Sequence, residues 1–210
     1  MRIIPIRERV IGQVVADKAK LYGDRIFLQF EDRTISYRDM DRLSNRIANG
    51  LADLGVTQGM HVALMLDNKP EIILLYFALA KLGAVAVPVN TAAKGELLAY
   101  YLNQSDCQVG IIDMALLPRL AAVLADTPKL RRVVAIAEDG STTGVADQGL
   151  PVPTHEFQTL LTAPDARPVA DVRFSDLHSI LYTSGTTGPS KGNLSTHCHA
   201  LTCGFELART

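Results

Sequence analysis

One stretch of this 210-residue chain decides how the rest is interpreted, and it reads Ile180-Leu181-Tyr182-Thr183-Ser184-Gly185-Thr186-Thr187-Gly188-Pro189-Ser190-Lys191-Gly192. A short apolar run, typical of a β-strand, leads into a loop with five side-chain hydroxyls, three glycines and one lysine. Glycine allows positive φ and close approach of the backbone to a ligand, and Lys191 adds a compact, mobile positive charge. Many donors and few apolar walls suit a polyphosphate. We therefore predict a phosphate-binding loop at residues 180–192.

Two other interpretations of the loop are weaker. Composition alone also fits a flexible Gly/Ser/Thr linker with Lys191 as an ordinary solvated lysine, but a linker needs neither a strand before it nor a lysine at its end. The P-loop of common NTPases requires glycine, four residues, and then Gly-Lys-Ser/Thr. Counting from Gly185, the second glycine position holds Ser190, and Lys191 is followed by Gly192. We therefore expect a phosphate loop of another kind.

The overall composition is that of an ordinary globular chain, with 48% hydrophobic and 20% charged residues. A formal net charge of −1 argues against a nucleic-acid partner or an anionic membrane surface that is recognised through bulk charge. The longest apolar stretch, residues 72–89, is interrupted by Lys81, Gly83 and Pro88. That pattern predicts a buried helix and strand rather than a transmembrane segment.

Cysteine usage and the N-terminus bear on the compartment. Cys107, Cys198 and Cys203 form an odd set without a CxxC pair, so a disulfide framework is not expected and a reducing, cytoplasmic location is. The apolar run at the N-terminus breaks off at Arg7, which is too early for a signal peptide.

The first 57 residues predict two helices and a hairpin. Residues 8–22 have apolar side chains at helical spacing, and residues 27–36 alternate around a polar turn as a β-hairpin does. Ser36 is a suitable N-cap for the second helix, with Asp39 in the acidic position of a capping box. That helix is expected to end at Gly55.

From residue 58 the pattern changes to apolar strands that alternate with helices of about ten residues. Strands that are apolar on both faces indicate a parallel sheet covered by helices on both sides, which is an α/β fold. The predicted strands lie at 61–66, 84–87, 108–112, 131–136 and 179–182. The predicted helices lie at 71–82, 95–104, 115–125 and 154–161, and a last one begins near Thr196. The stretches 138–153 and 162–171, rich in Gly, Ser, Thr, Pro and Asp, predict surface loops that flank a crossover or, alternatively, an inter-domain linker.

The segment Thr183-Ser184-Gly185-Thr186-Thr187-Gly188-Pro189-Ser190-Lys191-Gly192 resembles the signature of adenylate-forming enzymes, the group that includes AMP-forming acyl-CoA synthetases. Three more segments resemble motifs of that family in the same order: Ile35-Ser36-Tyr37 with Arg42-Leu43-Ser44-Asn45, Gly59-Met60-His61-Val62-Ala63-Leu64, and Ala80-Lys81-Leu82-Gly83-Ala84-Val85-Ala86-Val87-Pro88-Val89-Asn90. The resemblance covers most of the chain, and four ordered motifs make it highly specific.

The sequence departs from the family pattern at two positions. Asn193 stands where an aliphatic residue is usual, and Ser190 precedes Lys191 where proline is commoner. Neither change removes a phosphate donor. The family also includes luciferases and the adenylation domains of peptide synthetases. Val87-Pro88-Val89-Asn90 is more like the acyl-CoA synthetase version of its motif than the aspartate-bearing version of the peptide synthetases.

The resemblance implies a two-step reaction with ATP, Mg²⁺ and coenzyme A. A small carboxylic acid, most simply a fatty acid, attacks the α-phosphate of ATP and gives an acyl-adenylate and pyrophosphate; the thiol of coenzyme A then displaces AMP. Positioned donors and a cation would hold the pyrophosphate and offset its growing charge. The residues implied to contact the β- and γ-phosphates are Thr183, Ser184, Gly185, Thr186, Thr187, Gly188 and Lys191. No magnesium ligand is identifiable.

The resemblance also implies that the chain is an incomplete N-terminal part of the family's large domain. The adenine motif, the acidic magnesium ligand, the hinge and the catalytic lysine all follow this loop in the family, so no catalytic residue is expected here. Residues 1–57 are expected to pack on a later subdomain and residues 58–210 to form the α/β subdomain with the phosphate loop. Leu43, Ile47 and Leu51 would then be left uncovered. The 210 residues alone are expected to bind ATP weakly and not to adenylate.

Other chemically capable side chains have simpler interpretations. His199 and Cys203 share a helix face beside His197 and Cys198, but structural zinc needs three or four ligands, and no second cluster exists. The resemblance implies that His197 positions the segment after the loop. His178 is expected to be a partly buried histidine bonded to backbone. No GxSxG motif supports a hydrolase.

Two alternatives to a ligase remain open. One is a nucleotide-binding or interaction module without catalytic activity, and the other is an adenylation module that feeds a carrier protein. The reading frame after Thr210 separates them, since it contains later ligase motifs, a stop codon or a carrier domain. The acid and the oligomeric state are left open.

Overall fold

The structure is a computed structural model that describes residues 4–137, 149–183 and 190–207. Its strands are β1 Ile26–Phe30, β2 Arg33–Ser36, β3 His61–Met65, β4 Val85–Pro88, β5 Val109–Asp113, β6 Arg132–Ile136, β7 Thr154–Glu156, β8 Leu177–Thr183 and β9 Lys191–Thr196. Its α-helices are α1 Ile11–Tyr22, α2 Tyr37–Asp53, α3 Pro70–Leu82, α4 Gly95–Gln104, α5 Leu117–Ala121, α6 Phe157–Leu160 and α7 His197–Leu207.

The N-terminal elements form as their residue types predict. β1 and β2 pair antiparallel, and this hairpin confirms the alternation read from residues 27–36. Ser36 then caps α2, because its Oγ accepts a hydrogen bond from the Asp39 backbone N–H at 3.0 Å. Satisfying one of the free N–H groups in the first turn in this way is worth about 1 kcal/mol.

The main sheet has seven strands in the order β7-β6-β5-β3-β4-β8-β9. Every neighbouring pair is parallel except β8 and β9, which pair antiparallel. The α/β class is therefore confirmed, and the sheet is mixed rather than wholly parallel. All five residues of β5 are buried, which requires helices on both faces of the sheet.

Each face of the sheet has its own core, because successive residues of a strand point to opposite faces. Ile111 of β5 belongs to the core of face one, which α2, α3 and α6 cover, whereas Ile112 belongs to the core of face two. Face two is covered by α4 and α5, with Leu98 and Leu117 among its fully buried residues. Among the described helices, none is long and apolar enough to cross a membrane.

The expected uncovered surface on α2 is wrong. Ile47 and Leu51 are both 0% exposed, and Leu43 is half-buried against the same core. The helix that covers them belongs to this chain: α3 contributes Leu75 and Leu79 to the shared cluster. Sequence periodicity shows that a helix has an apolar face but not which element covers it.

A buried lysine fastens α3 to α2. The Lys81 side chain is 0% exposed, and its Nζ donates to the Asp41 carboxylate at 2.7 Å, to Ser44 Oγ at 2.7 Å and to Asn45 Oδ1 at 2.6 Å. Burial lowers the pKa of Lys81, and the bond to Asp41 partly reverses that shift. The part of the third motif that contains Lys81 is thus linked to the first motif, which contains Ser44 and Asn45.

Three sequence predictions need correction. The expected helix at 115–125 is only the five residues of α5 between two 3-10 turns, since Pro118 fits only the first turn of an α-helix. The expected helix at 154–161 begins as strand β7. Residues 191–196, expected to belong to the loop and its connection, form strand β9.

The stretch 162–171 is a loop that runs along α2. The Asn49 side chain donates to the carbonyl oxygens of Pro164 and Ala166 at 2.7 and 2.8 Å, and Asn45 donates to that of Asp165 at 3.0 Å. These bonds fix the segment as a surface connection and disfavour a free linker. The first stretch, 138–153, lies mostly outside the described residues.

Candidate functional site

The two described ends of the predicted phosphate loop face each other across a hairpin. β8 and β9 pair with Thr183 opposite Lys191, and both residues are exposed. The remaining predicted contacts, Ser184, Gly185, Thr186, Thr187 and Gly188, lie outside the described residues. Lys191 begins a strand rather than closing a loop. The sequence Lys191-Gly192-Asn193 gave no sign of this, because glycine and asparagine are poor strand formers.

Gly192 has a packing role in this hairpin. A Cβ added to Gly192 would lie 2.9 Å from Cγ2 of Ile180 and 3.6 Å from the Tyr182 ring. Both neighbours belong to β8, which is directly paired with β9. We therefore favour a cross-strand packing reason for the glycine, in which the side chains of β8 fill the space above it, and the expected close approach to a ligand stays a prediction.

The hairpin adjoins the strand of another sequence motif. β4 and β8 are parallel neighbours, with Ala86 paired to Ser179. Because the carboxyl ends of parallel strands meet at one edge of the sheet, residues 89–90 lie at the same edge as Thr183. Asn90 begins a turn there, since its Oδ1 accepts from the Ala92 backbone N–H at 2.8 Å. Ligands of open α/β folds bind at this kind of edge.

No acidic side chain in the described part of the chain forms an ion pair with Lys191. Its ammonium group, exposed beside Thr183, keeps its charge available for a ligand anion. This electrostatic feature agrees with a phosphate-binding function.

Two buried histidines lie at the other end of the hairpin. The rings of His178 on β8 and His197 at the start of α7 are 5.3 Å apart, and burial lowers the pKa of each to about 4. His197 Nδ1 accepts from the Ile11 backbone N–H at 3.3 Å, which links α7 to α1. Nδ1 of His178 lacks a hydrogen-bond partner among the described residues, so the expected bond to backbone is not found.

A second cleft lies where β3 and β5 end. These adjacent parallel strands are followed by helices on opposite faces, α3 and α5, and this divergence opens a crevice at their carboxyl ends. A cavity of about 720 Å³ lies there. Lys69 Nζ lies 2.5 Å from the Asp113 carboxylate, and Arg33 lies 2.8 Å from that of Glu71. No sequence motif marks this cleft, because its side chains come from separate segments of the chain.

Possible metal ligands are sparse in the described ranges, where no three His, Cys, Asp or Glu side chains converge on a point. His199 interacts with Ser195 Oγ at 3.3 Å. Cys107, Cys198 and Cys203 are free cysteines.

The parallel α/β sheet that ends in an antiparallel hairpin matches the N-terminal region of adenylate-forming enzymes. The chain belongs to the AMP-binding enzyme family, whose pattern matches residues 15–208. The family resemblance read from the four motifs is thereby confirmed.

Several relatives and solved structures that match this chain are named as CoA ligases. The chain is 36% identical over 195 residues to the medium/long-chain fatty-acid–CoA ligase FadD6 of Mycobacterium tuberculosis, covering 92% of this chain and 30% of that protein. It is 31% identical over 210 residues to a crotonobetaine/carnitine–CoA ligase of Salmonella paratyphi A, covering 94% and 38%. The chain thus spans about a third of the length of these relatives.

The fold has the same likeness in three dimensions. The anthranilate CoA ligase AuaEII, solved with anthranoyl-AMP, superposes with a TM-score of 0.81 at 26% identity, over 93% of this chain and 36% of that one. The inhibitor-bound N-terminal domain of FACL13 from Mycobacterium tuberculosis gives 0.73 at 30% identity, over 89% and 44%.

Proposed function

We propose that this chain is part of an enzyme that activates a carboxylic acid, most simply a fatty acid, with ATP and transfers it to coenzyme A. In this proposal the chain supplies the loop that binds the β- and γ-phosphates of ATP and then the pyrophosphate. The observation that supports it best is the pairing of Thr183 with Lys191 at the carboxyl edge of the sheet. Membership of a family with several CoA ligases agrees with it.

In the proposed chemistry, negative charge grows on the departing pyrophosphate beside Lys191. When a carboxylate attacks the α-phosphate, the bond to the β-phosphate oxygen breaks and negative charge grows on the departing pyrophosphate. A fixed cation and aligned hydroxyl donors stabilise that charge more than the ground state, and this lowers the barrier. Thr183, Ser184, Thr186 and Thr187 supply the hydroxyls in this scheme.

Magnesium would neutralise further phosphate charge, and we assign no residue of this chain to it. The catalytic lysine is likewise assigned to chain beyond this fragment.

We further propose that residues 1–57 contact a later subdomain, while residues 58–210 form the subdomain with the loop. The free thiols agree with a reducing cytoplasmic compartment, and burial raises the pKa of Cys107 to about 12.

Carboxylate-dependent ATP–pyrophosphate exchange tests this division of labour. The purified 210-residue chain is expected to show no exchange above a no-enzyme control with any member of a panel of short-, medium- and long-chain acids. A protein that joins this chain to the later family motifs is expected to show exchange and release AMP with coenzyme A. Robust exchange by the 210 residues alone would contradict the proposal that the catalytic groups lie elsewhere.

A further inference from the structure

Two adjacent tyrosines of α4 reach the residue that precedes Lys191. Tyr100 donates its hydroxyl hydrogen to the backbone carbonyl oxygen of Ser190 at 2.8 Å. The Tyr101 hydroxyl lies 3.2 Å from Ser190 Oγ. One tyrosine therefore holds the main chain of Ser190 and the other holds its side chain.

Tyr101 also contacts the opposite strand of the hairpin. Its ring packs on that of Tyr182 with centroids 4.5 Å apart, and Tyr182 directly precedes Thr183. The Tyr182 hydroxyl donates to the carbonyl oxygen of Tyr101 at 3.4 Å. Ser105 Oγ donates to the same carbonyl oxygen at 2.5 Å. Through Tyr101, α4 thus touches β8 and the residue that precedes β9, at the end where Thr183 and Lys191 lie.

The tyrosines coincide with a departure in the sequence. Ser190 occupies a position where proline is commoner in the family, and proline fixes its own φ. Serine leaves the backbone freer at this point, so a fixed Lys191 needs constraint from elsewhere. The bonds from Tyr100 and Tyr101 are such a constraint, because they join Ser190 to a helix that is itself packed on face two of the sheet.

We propose that Tyr100 and Tyr101 are positioning residues that fix Ser190, and through it Lys191, for binding of a phosphate group. This inference rests on the proposed function of the loop. The two tyrosines contact different atoms of Ser190. Tyr100 acts through the backbone carbonyl group, which remains when the Ser190 side chain is substituted, whereas Tyr101 acts through Ser190 Oγ.

Because the two tyrosines contact different atoms of Ser190, the pyrophosphate affinities of double variants are expected to differ. Tyr100→Phe, Tyr101→Phe and Ser190→Ala are each expected to weaken the binding of inorganic pyrophosphate to the chain three- to tenfold. Combining Tyr101→Phe with Ser190→Ala should weaken it no further than either alone, because both remove the same contact. Combining Tyr100→Phe with Ser190→Ala should multiply the two losses. Tyr22→Phe, in α1 away from the hairpin, is the matched control and should bind as the unsubstituted chain does.

Two readouts separate positioning from general stability. Pyrophosphate Kd is measured by NMR titration, and the unfolding midpoint is measured on the same samples. A lowered midpoint with an unchanged Kd in Tyr100→Phe and Tyr101→Phe would overturn the inference, as would multiplied losses in the Tyr101→Phe, Ser190→Ala pair.

A ligand-free measurement keeps this inference distinct from the proposed function. The Lys191 amide resonance is expected to shift in Tyr100→Phe and Tyr101→Phe and to stay in place in Tyr22→Phe. If the unsubstituted chain shows no pyrophosphate binding while Lys191 shifts in this pattern, the phosphate function fails and the fixing of Lys191 holds. An unshifted Lys191 in both tyrosine variants overturns the positioning itself.

Discussion

The crevice at the ends of β3 and β5 and the hairpin end of β8 and β9 lie at the same edge of one sheet, yet they use their charges differently. In the crevice, Lys69 and Arg33 each have a carboxylate partner, Asp113 and Glu71. At the hairpin, Lys191 is exposed and forms no ion pair with any described acidic residue. The crevice has a cavity of about 720 Å³, and the hairpin has the available cation.

The difference shows that cavity size alone does not identify an anion site. A lysine that already neutralises a buried carboxylate gains little from a ligand phosphate, since binding would cost the existing pair. The Asp113 carboxylate is further occupied by the Asp67 backbone N–H at 2.7 Å. We therefore assign the crevice charges to stability and the hairpin charge to ligand binding, and substitutions at the two places should have opposite signatures.

The largest expected effect is on stability at the crevice. Asp113→Ala removes the partner of Lys69 and the acceptor for Asp67, and it leaves a mostly buried ammonium group unpaired. The free energy of unfolding is expected to fall by about 3 kcal/mol, as is usual when one partner of a buried ion pair is removed. Urea unfolding followed by circular dichroism measures it.

The matched control is the exposed pair of Lys129 and Asp106, whose side chains are 59% and 57% exposed. Lys129→Ala should leave the urea midpoint nearly unchanged, because solvent screens exposed pairs. Equal losses in Asp113→Ala and Lys129→Ala would remove the structural role assigned to the crevice.

The second effect is a pH dependence of stability that arises from His178, at the end of the hairpin opposite Thr183 and Lys191. Burial, together with the neighbouring His197, lowers the pKa of His178 to about 4 from its ordinary value of 6.5. Between these values the unfolded chain binds more protons than the folded one, so stability is present above pH 6.5 and is lost as the pH falls. His178 alone is expected to cost about 2 kcal/mol between pH 7 and pH 5.

Urea unfolding at both pH values checks this expectation. Between pH 7 and pH 5, the free energy of unfolding of His178→Gln should fall by about 2 kcal/mol less than that of the unsubstituted chain. The free energy of unfolding of His199→Gln, an exposed position on α7, should fall by as much as that of the unsubstituted chain. The same pH dependence in all three proteins would mean that the His178 ring is solvated rather than buried at this end of the hairpin.

The third effect distinguishes packing from ligand approach at Gly192. Gly192→Ala places a methyl group against Ile180 and should reduce stability by about 1.5 kcal/mol through overpacking. Pyrophosphate affinity should stay within twofold of the unsubstituted chain. A large loss of affinity at unchanged stability would return Gly192 to the ligand-binding residues.

Local patterns predicted much of this fold from sequence, since the hairpin, the Ser36 cap and the apolar strands β3 to β6 all have strong signals in their own residues. What the sequence could not show depends on partners far along the chain. Ile47 and Leu51 were expected to be uncovered because the family resemblance implied that a later subdomain covers them. No local pattern reveals that α3 packs on α2 instead. Strand β9 was missed because its glycine and polar residues form a strand only by pairing with β8.

The candidate site shows the same division. Residue types and the family motifs indicated the phosphate loop and its lysine. The contacts of Tyr100 and Tyr101 with Ser190 join residues about ninety positions apart in the chain, and the crevice assembles side chains from five segments. Contacts between such distant segments depend on the topology of the fold, which no single stretch of sequence specifies.

Pyrophosphate binding by Lys191→Gln tests the assignment of the hairpin charge most directly, with Lys20→Gln, an exposed lysine of α1, as the charge-matched control. Loss of one charge-assisted contact is worth about 1.5–3 kcal/mol, so affinity measured by NMR titration should fall roughly tenfold or more in Lys191→Gln. Its unfolding free energy should change by less than about 0.5 kcal/mol, as at other exposed positions. Equal pyrophosphate affinity in Lys191→Gln, Lys20→Gln and the unsubstituted chain would contradict the account.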